Sequence, residues 1–351
     1  MPRLFVTVLS AAVLSMVAVA CSSGSDSAGS SGVQPSGGDP EGTTSAAAGQ
    51  TSESGDAPSG KPLRLKVAVA SPGLPFLQLY VADQKGYYKA RNLTVEFVNV
   101  EGSAASMAAL QGGSADATVS LPEGAVTAQA QGAPIKIIGA TVKESLYGLY
   151  VAKGINSIDD LVGKKIAMLT EGNGTDIQAR KALDLAGQGA DKSTFVATGG
   201  LPNRLAAIEN NQAQGALLFP PFDALAEAQG LKSVLSLREI SPGYPDEVIA
   251  VREAALTDKA DALQAFIDAL SEASHYIVDN PDDAAAIAVD LTGSEPDIVD
   301  KSLKGMIDTY SLDMGFDIKG LADTIASMEK YAQFENLPTA EELYDSRFIK
   351  K

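Results

Sequence analysis

From Leu63 to residue 237 short apolar runs alternate with amphipathic ones, and this alternation constrains the fold more than any other feature of the chain. "LRLKVAVAS" (63–71) alternates and then runs apolar, as a strand buried in a parallel sheet does. A turn with Pro72, Gly73 and Pro75 leads into "FLQLYVADQKGYY", where Phe76, Leu79, Tyr80 and Ala82 or Asp83 recur at helical spacing and Gly86 marks a stop. Strand "LTVEFVNV", helix "SAASMAALQGG", strand "ADATVSL", helix "PEGAVTAQAQG" and strand "PIKIIGATV" complete the series. Strands alternating with helices predict a parallel α/β sheet.

The pattern then restarts. "LYGLYVAKG" reads as a strand, "SIDDLVGK" as a short helix opened by Ser157 with Asp160 three residues on, and "KKIAMLT" as a strand running into the helix "EGNGTDIQARKALDLAG". "STFVATGG", "LPNRLAAIENN", "GALLFP", "PFDALAEAQG" and "LKSVLSL" continue the alternation, giving two α/β units in series. From "DEVIAVREAAL" onward the reading turns helical: Leu263, Phe266, Ile267, Leu270, Ala273, Ser274 and Ile277 form an apolar stripe. "DDAAAIAVDLTG", "EPDIVDKSLKGMIDTY", "DIKGLADTIASMEKYAQF" and "AEELYDSRFIK" read as helices as well. If these pack back onto the first unit, the chain crosses between the lobes twice, near residues 142–147 and 241–248, and leaves a cleft.

The chain before residue 62 has a different character. Arg3 and the apolar "LFVTVLSAAVLSMVAVA" have the layout of a secretory signal, too short and without the basic flank of a spanning helix. The only cysteine, Cys21, follows directly, which rules out an internal disulfide. "VAVAC" resembles the lipobox of bacterial lipoproteins, and that resemblance implies that Cys21 is lipidated and becomes the new N-terminus; the alternative is a plain signal followed by a free thiol. Residues 21–61 carry no aromatic side chain and hardly a branched aliphatic one, so they are expected to be a disordered tether. A Gly/Ser-rich coil of that length reaches roughly 35 Å.

The remaining residues suffice for two domains with proper cores in a chain that is 45% hydrophobic and 6% aromatic. A formal charge of −17 argues against nucleic acid or anionic lipid as partners. An anionic ligand would have to be held by local dipoles and one or two cations against the global field, which salt screens within about 10 Å.

An enzyme must find its catalytic groups, and here the inventory is thin. His275 is the only histidine, beside the apolar stripe of a late helix, and the sequence has no HExxH, paired-cysteine zinc spacing, GxSxG or Walker lysine motif. No metal and no cofactor are expected. In "KKIAMLTEGNGTDI" a GxG does open a helix after a strand, but Ile177 stands where a dinucleotide fingerprint needs its third glycine. What survives is simpler physics: free main-chain N–H groups of Asn173, Gly174 and Thr175 at a helix N-terminus can bind an anion or a carbonyl oxygen. "TGGLPNR", with Arg204 in the first turn of its helix, "VEGSAAS", "SLPEGA" and "FPPFDA" repeat the device. Each turn alone is ordinary loop geometry, but in open α/β sheets such turns gather at the strand ends where ligands bind.

"LYVADQKGYYKARNLTVEFVNVEGSAASMAALQGGSADATVS", followed by "AQAQGAPIKIIGA", resembles the first lobe of solute-binding proteins in the nitrate, sulfonate, taurine and thiamine-precursor family of ABC importers. Tyr87 and Tyr88 match an aromatic doublet after the helix-ending glycine, and Gly113 and Asp116 match a Gly-x-x-Asp turn. In the second lobe "SIDDLVGKKIAML" and "RLAAIENNQAQGALLFPPFDALAEAQG" agree. The resemblance implies a type II periplasmic-binding-protein fold: lobe 1 from residues 62–143 and 246–351 with the C-terminal helices, lobe 2 from 144–245, and a two-segment hinge. It further implies a monomer that is exported, anchored by lipid to the outer face of the cytoplasmic membrane, and hands a small molecule unchanged to a permease and its ATPase.

Carried over position by position, the ligand contacts implied are Ser71, Gly73, Leu74, Pro75, Phe76 and Gln78, then Ser103, Ala104, Ser120, Glu123 and Thr141 in the first lobe. In the second they are Asn173, Gly174, Thr175, Asn203, Arg204, Phe219 and Phe222, with Tyr244 reaching in from the second crossing. Arg204 and the helix N-termini suit a sulfonate or carboxylate, the aromatic rings a flat or aliphatic body, and Glu123 an amine or ring N–H. A small organic anion such as a sulfonate is the expected ligand. The alternatives are a thiamine-precursor or other heteroaromatic ligand, and an enzyme of pyrimidine-synthesis type on the same fold, which would need a reactive histidine in the pocket.

Overall fold

The computed structural model describes residues 61–69, 73–332, 334 and 336–350. The leader 1–20, Cys21, the tether through residue 60, and Ser71 lie outside the described residues. The first series forms β1 (Leu63–Val69), α1 (Leu77–Gln84), β2 (Leu93–Asn99), α2 (Gly102–Gln111), β3 (Ala117–Ser120), α3 (Pro122–Ala130) and β4 (Ile135–Val142). The second forms β5 (Gly148–Val151), β6 (Lys165–Met168), α4 (Gly174–Leu185), β7 (Thr194–Ala197), α5 (Leu201–Glu209), β8 (Gly215–Leu218), α6 (Phe222–Ala228), β9 (Lys232–Ser236) and α7 (Leu237–Ile240). After β10 (Glu247–Arg252) come α8 (Ala255–Asp258), α9 (Ala260–Asp279), α10 (Pro281–Thr292), α11 (Pro296–Met306), α12 (Ile318–Ala332) and α13 (Ala340–Leu343).

Two five-stranded sheets result, ordered β2-β1-β3-β10-β4 and β7-β6-β8-β5-β9. Both are mixed rather than purely parallel, because β10 runs antiparallel to β3 and β4, and β5 antiparallel to β8 and β9. These two strands are entered straight from a crossing rather than through a crossover helix, and only such a crossover returns a chain to run parallel. The segment opening "DEVIAVREAAL" is therefore a central strand and not the start of the helices. Glu247 to Val251 are all buried, so no alternation survives to mark it as one.

Two smaller expectations hold only in part. "AEELYDSRFIK" is helical only over α13; Tyr344 then bridges to Ile137 of β4 and Phe348 enters the core. In "SIDDLVGK" the Ser157–Asp160 pairing is present, Asp160 Oδ2 accepting the N–H groups of Asn156 (2.8 Å) and Ser157 (3.1 Å), but the helix it opens is only a single 3-10 turn, Asp159–Leu161.

Each sheet buries both faces. On one side of the first, Val67, Val119 and Ile249 pack with Leu77 of α1 and with Phe266 and Leu270 of α9. On the other, Ile137, Val248 and Ala250 pack with Met107, Val126 and Leu321. The second sheet sits between α5 and α6 on one face, through Leu205, Ile208 and Ala226, and α4 and α7 on the other, through Ala182, Leu183 and Leu237. The late helices do not confine themselves to the first sheet. α11 packs on α6, with Lys301 paired to Glu227, and α12 touches both α3 and α4, where Lys330 and Tyr331 reach Asp184. The two crossings are tied to each other: the Leu146 N–H donates to Asp246 Oδ2 (2.7 Å) and the Gly243 N–H to Glu144 Oε2 (2.8 Å).

Candidate functional site

Between the two sheets lies a cavity of ≈ 660 Å³, within the size range of small-molecule sites. Three helix N-termini meet there: α2 at Gly102 and Ser103, α4 at Asn173, Gly174 and Thr175, and α5 at Gly200, Leu201 and Pro202. First-turn N–H groups have no acceptor inside their own helix, so each start offers donors. Asn173 organises the second: its Oδ1 accepts the Asp176 N–H (3.1 Å) and the Thr175 hydroxyl (2.7 Å), which fixes the loop at the cavity wall. Gly174 is held close to the opposite lobe. A Cβ there would lie 2.7 Å from Leu121 Cδ1 and 2.9 Å from Glu123 Oε2, so only glycine permits this approach of α4 to α3.

The aromatic walls are Phe76, Phe219, Phe222 and Tyr147, the last packed edge-on to Phe219 with centroids 5.0 Å apart. Arg204 is 3% exposed, yet it lines the cavity, and it forms no ion pair with any described carboxylate. Its Nη1 donates to the Leu217 carbonyl (2.7 Å) while Nε has no acceptor among the described residues. Burial lowers its pKa from the ordinary value, but a guanidinium stays protonated. The cavity wall thus holds a buried positive charge without a counter-ion.

Glu247 also lines the cavity. Its carboxyl accepts no hydrogen bond from any described residue, and Oε2 is sealed from solvent. Beside it Asp246 is engaged through one oxygen by Leu146. Burial raises the pKa of both, Glu247 well above the carboxylate range with the charges of Asp246 and Glu123 adding to it, and Asp246 to about 8.

The structure gathers Phe76, Ser103, Asn173, Gly174, Thr175, Arg204, Phe219 and Phe222 around this cavity. Ala104 and Glu123 line an adjoining depression with Ser103, Asn173 and Gly174. The other expected contacts lie off the cavity wall. Leu74 and Pro75 are buried in a 3-10 turn that follows Gly73. Gln78 donates to the Thr141 carbonyl (2.9 Å), Ser120 is sealed at the end of β3, and Asn203 points outward on α5. Tyr244 does not reach the cavity: its hydroxyl lies 3.0 Å from both oxygens of Glu123, which also accepts from Gln178 across the lobes. Glu123, read from sequence as the group for an amine, is thus already occupied. Sequence reasoning missed Tyr147, Glu247, Glu101, Leu121 and Leu169. Tyr147 and Glu247 sit where the two crossings enter the sheets, the one signal that pointed to them. His275 lies on α9 with its Nδ1 2.8 Å from the Ser271 carbonyl, outside the cavity lining.

Among the described residues no group of three or more His, Cys, Asp or Glu side chains is placed to hold a metal, and no helix is long and apolar enough to cross a membrane.

The raised carboxyls have a measurable consequence. A group that binds its proton more tightly folded than unfolded makes the folded chain carry more protons, so stability falls as pH rises between the two pKa values. For Asp246 that window runs from 3.8 to about 8. The depressed carboxylates Asp160, Asp184, Asp283, Asp308 and Asp345 act with opposite sign, below their ordinary pKa of 3.8. The ligand-free protein is therefore expected to melt at progressively lower temperature from about pH 5 to about pH 8, each raised group contributing up to ~1.4 kcal/mol per pH unit. A melting temperature that climbs over this interval would contradict the assignment.

Two mixed α/β sheets joined by paired crossings, with helix N-termini facing one another over an interlobe cavity, define the type II periplasmic-binding-protein fold. Solved structures agree: the periplasmic aliphatic sulphonate binding protein SsuA of Escherichia coli superposes with a TM-score of 0.68 at 14% identity, covering 83% of this chain and 95% of that one. The desulfurization enzyme DSZB shares the fold at a TM-score of 0.60 and 14% identity, covering 82% and 97% of the two chains. The model of the family described as NMT1/THI5 like matches residues 75–284, and the chain belongs to that family. A Haemophilus influenzae protein named for thiamine biosynthesis is 24% identical over 225 residues, 59% of this chain and 66% of that relative, just short of two thirds of its length.

Proposed function

We infer that this protein is the extracytoplasmic solute-binding component of an ABC importer, which captures a small organic anion such as a sulfonate between its lobes and passes it unchanged to a permease. Arg204 carries the reading. A buried guanidinium without a carboxylate partner is costly unless something negative arrives to pair with it, and the N-termini of α2, α4 and α5 face the same space. The sulphonate-binding SsuA named above has this fold, which supports the class of ligand. Binding without chemistry is supported by the position of His275 away from the cavity and by the absence of cysteine from residues 22–351.

Calorimetry with a panel of sulfonates, taurine, nitrate and pyrimidines is the test. One stoichiometric binder recovered intact is the expected outcome; consumption of the bound compound would move the protein to the enzymes of this fold. The lipid anchor belongs to the same reading: a tether from a lipidated Cys21 would keep the captured solute beside its permease. The mass of the membrane-extracted protein, with or without an acyl addition at Cys21, decides that point.

A further inference from the structure

Glu247 is buried among other acids with no cation paired to it. It is 5% exposed, and neither carboxyl oxygen has a hydrogen-bond partner among the described residues. The groups whose charge it feels are Asp246, its chain neighbour, and Glu123 on α3, both acidic. Tyr147 on the first crossing feels all three carboxyls and, with opposite sign, Arg204 on α5. Tyr244 on the second crossing is engaged by Glu123, and Glu101 at the start of α2 lines the same cavity but is exposed. No described lysine or arginine forms an ion pair with Glu247.

This geometry fixes the protonation state. Burial disfavours the charged form, two neighbouring carboxyls disfavour it further, and no donor is present to offset either effect. Glu247 is therefore a neutral acid, in keeping with the upward direction of its pKa. A protonated carboxyl is a hydrogen-bond donor, and a buried donor left without an acceptor is costly. The backbone shows where that donor is aimed. Between Glu247 and Val248 the pairing of β10 with β4 slips, Glu247 facing Val142 and Val248 facing Ala140. Bulges of this kind re-aim a side chain and gather beside binding sites, and here the residue at the bulge lines the interlobe cavity with Arg204.

Resting on the solute-binding reading above, we propose that Glu247, in its protonated form, donates a hydrogen bond to the anionic end of the solute, so that capture is linked to the presence of that proton. Arg204 and the N-termini of α2, α4 and α5 supply positive potential, and Glu247 adds a donor without adding charge. Loss of the proton would exchange this donor for a negative charge facing the anion. The sign follows: affinity is highest while the proton is held and falls as pH rises through the point at which the empty cleft releases it.

Titration calorimetry on the full-length chain from about pH 5 to about pH 9 tests this, with methanesulfonate, ethanesulfonate and benzenesulfonate as probes. Sulfonates are strong acids and stay anionic throughout, so any pH dependence belongs to the protein. The wild type is expected to bind at least one probe about tenfold or more weakly at about pH 9 than at about pH 6, with protons taken up on binding at the alkaline end. Heats measured in buffers of different ionisation enthalpy read that uptake and need no variant. Glu247→Gln keeps a donor that cannot titrate: its affinity should stay within about threefold of the wild-type value at about pH 6, change by no more than about threefold over the range, and exceed the wild-type value at about pH 9. Glu247→Leu removes the donor and should bind about tenfold or more weakly at about pH 6. A pH dependence that survives in Glu247→Gln would place the titration at Asp246 or Glu101 and overturns the assignment, as does a folded Glu247→Leu protein that binds like the wild type. If a sulfonate binds equally well at every pH, solute capture stands and only the role of Glu247 falls; if none binds at any pH, the organic-anion reading falls with it.

Discussion

Arg204→Met is expected to abolish solute capture while leaving the protein folded. Charge-assisted hydrogen bonds in a desolvated site are worth about 1.5–3 kcal/mol each, and truncating one partner of a buried charged pair costs about 2–5 kcal/mol. Affinity should therefore fall by roughly a hundredfold or more. Methionine keeps much of the side-chain length against Leu217 but carries no charge. The lost hydrogen bond to the Leu217 carbonyl (2.7 Å) lowers stability, while relief of a buried unpaired cation raises it. The two effects oppose each other, so the melting temperature should move by no more than a few degrees. Titration calorimetry on wild type and variant, with melting curves as the control for folding, reads both quantities. Unchanged affinity in a folded Arg204→Met protein would remove the anion site from this cavity.

Gly320→Ala, by contrast, should damage the fold itself. Gly320 lies in the first turn of α12 at the point where that helix presses on the second crossing. A Cβ there would fall inside the carbonyl group of Gly243 and 3.0 Å from the Tyr244 nitrogen. Both neighbours are main chain, so neither can rotate away as a flexible side chain would. Relief requires moving α12, or moving a crossing whose Gly243 N–H is held by Glu144 and whose Tyr244 hydroxyl is held by Glu123. Alanine has the higher helix propensity by about 1 kcal/mol, yet the collision should outweigh it and cost about 3 kcal/mol or more. Chemical denaturation of wild type and variant measures the difference. A Gly320→Ala protein as stable as the wild type would mean that α12 does not touch the crossing so closely.

These two positions differ in how far sequence reveals them. Arg204 was legible because it stands in the first turn after a Gly-Gly pair and before an apolar-periodic helix, where local signals are strong. Gly320 carries no such mark: a glycine near the start of a helical stretch reads as a mild loss of propensity, and only the arrival of Gly243, far away in the chain, gives it a purpose. The family resemblance implies that Glu123, in the turn "SLPEGA", and Tyr244, in the second crossing, reach for a ligand. Folding brings them to each other instead, with Gln178 completing the set. Glu247 carries no local mark, because it stands in a segment without strand alternation whose five leading residues are all buried.

What the sequence determined by itself is whatever depends on neighbours within about a dozen residues. Strand and helix periods, the glycine turns that open α2, α4 and α5, and the two breaks in the alternation are all of this kind. Tertiary structure alone decided how β5 and β10 are oriented, that α11 and α12 lean on both lobes, and which polar groups meet one another rather than the cavity. The reason is physical. A buried polar side chain is settled by whichever complementary group arrives within about 3 Å, and for Glu123, Tyr244 and Gln178 that group comes from a distant part of the chain. For Arg204 and Glu247 no described residue supplies it, and the place left open is the cavity.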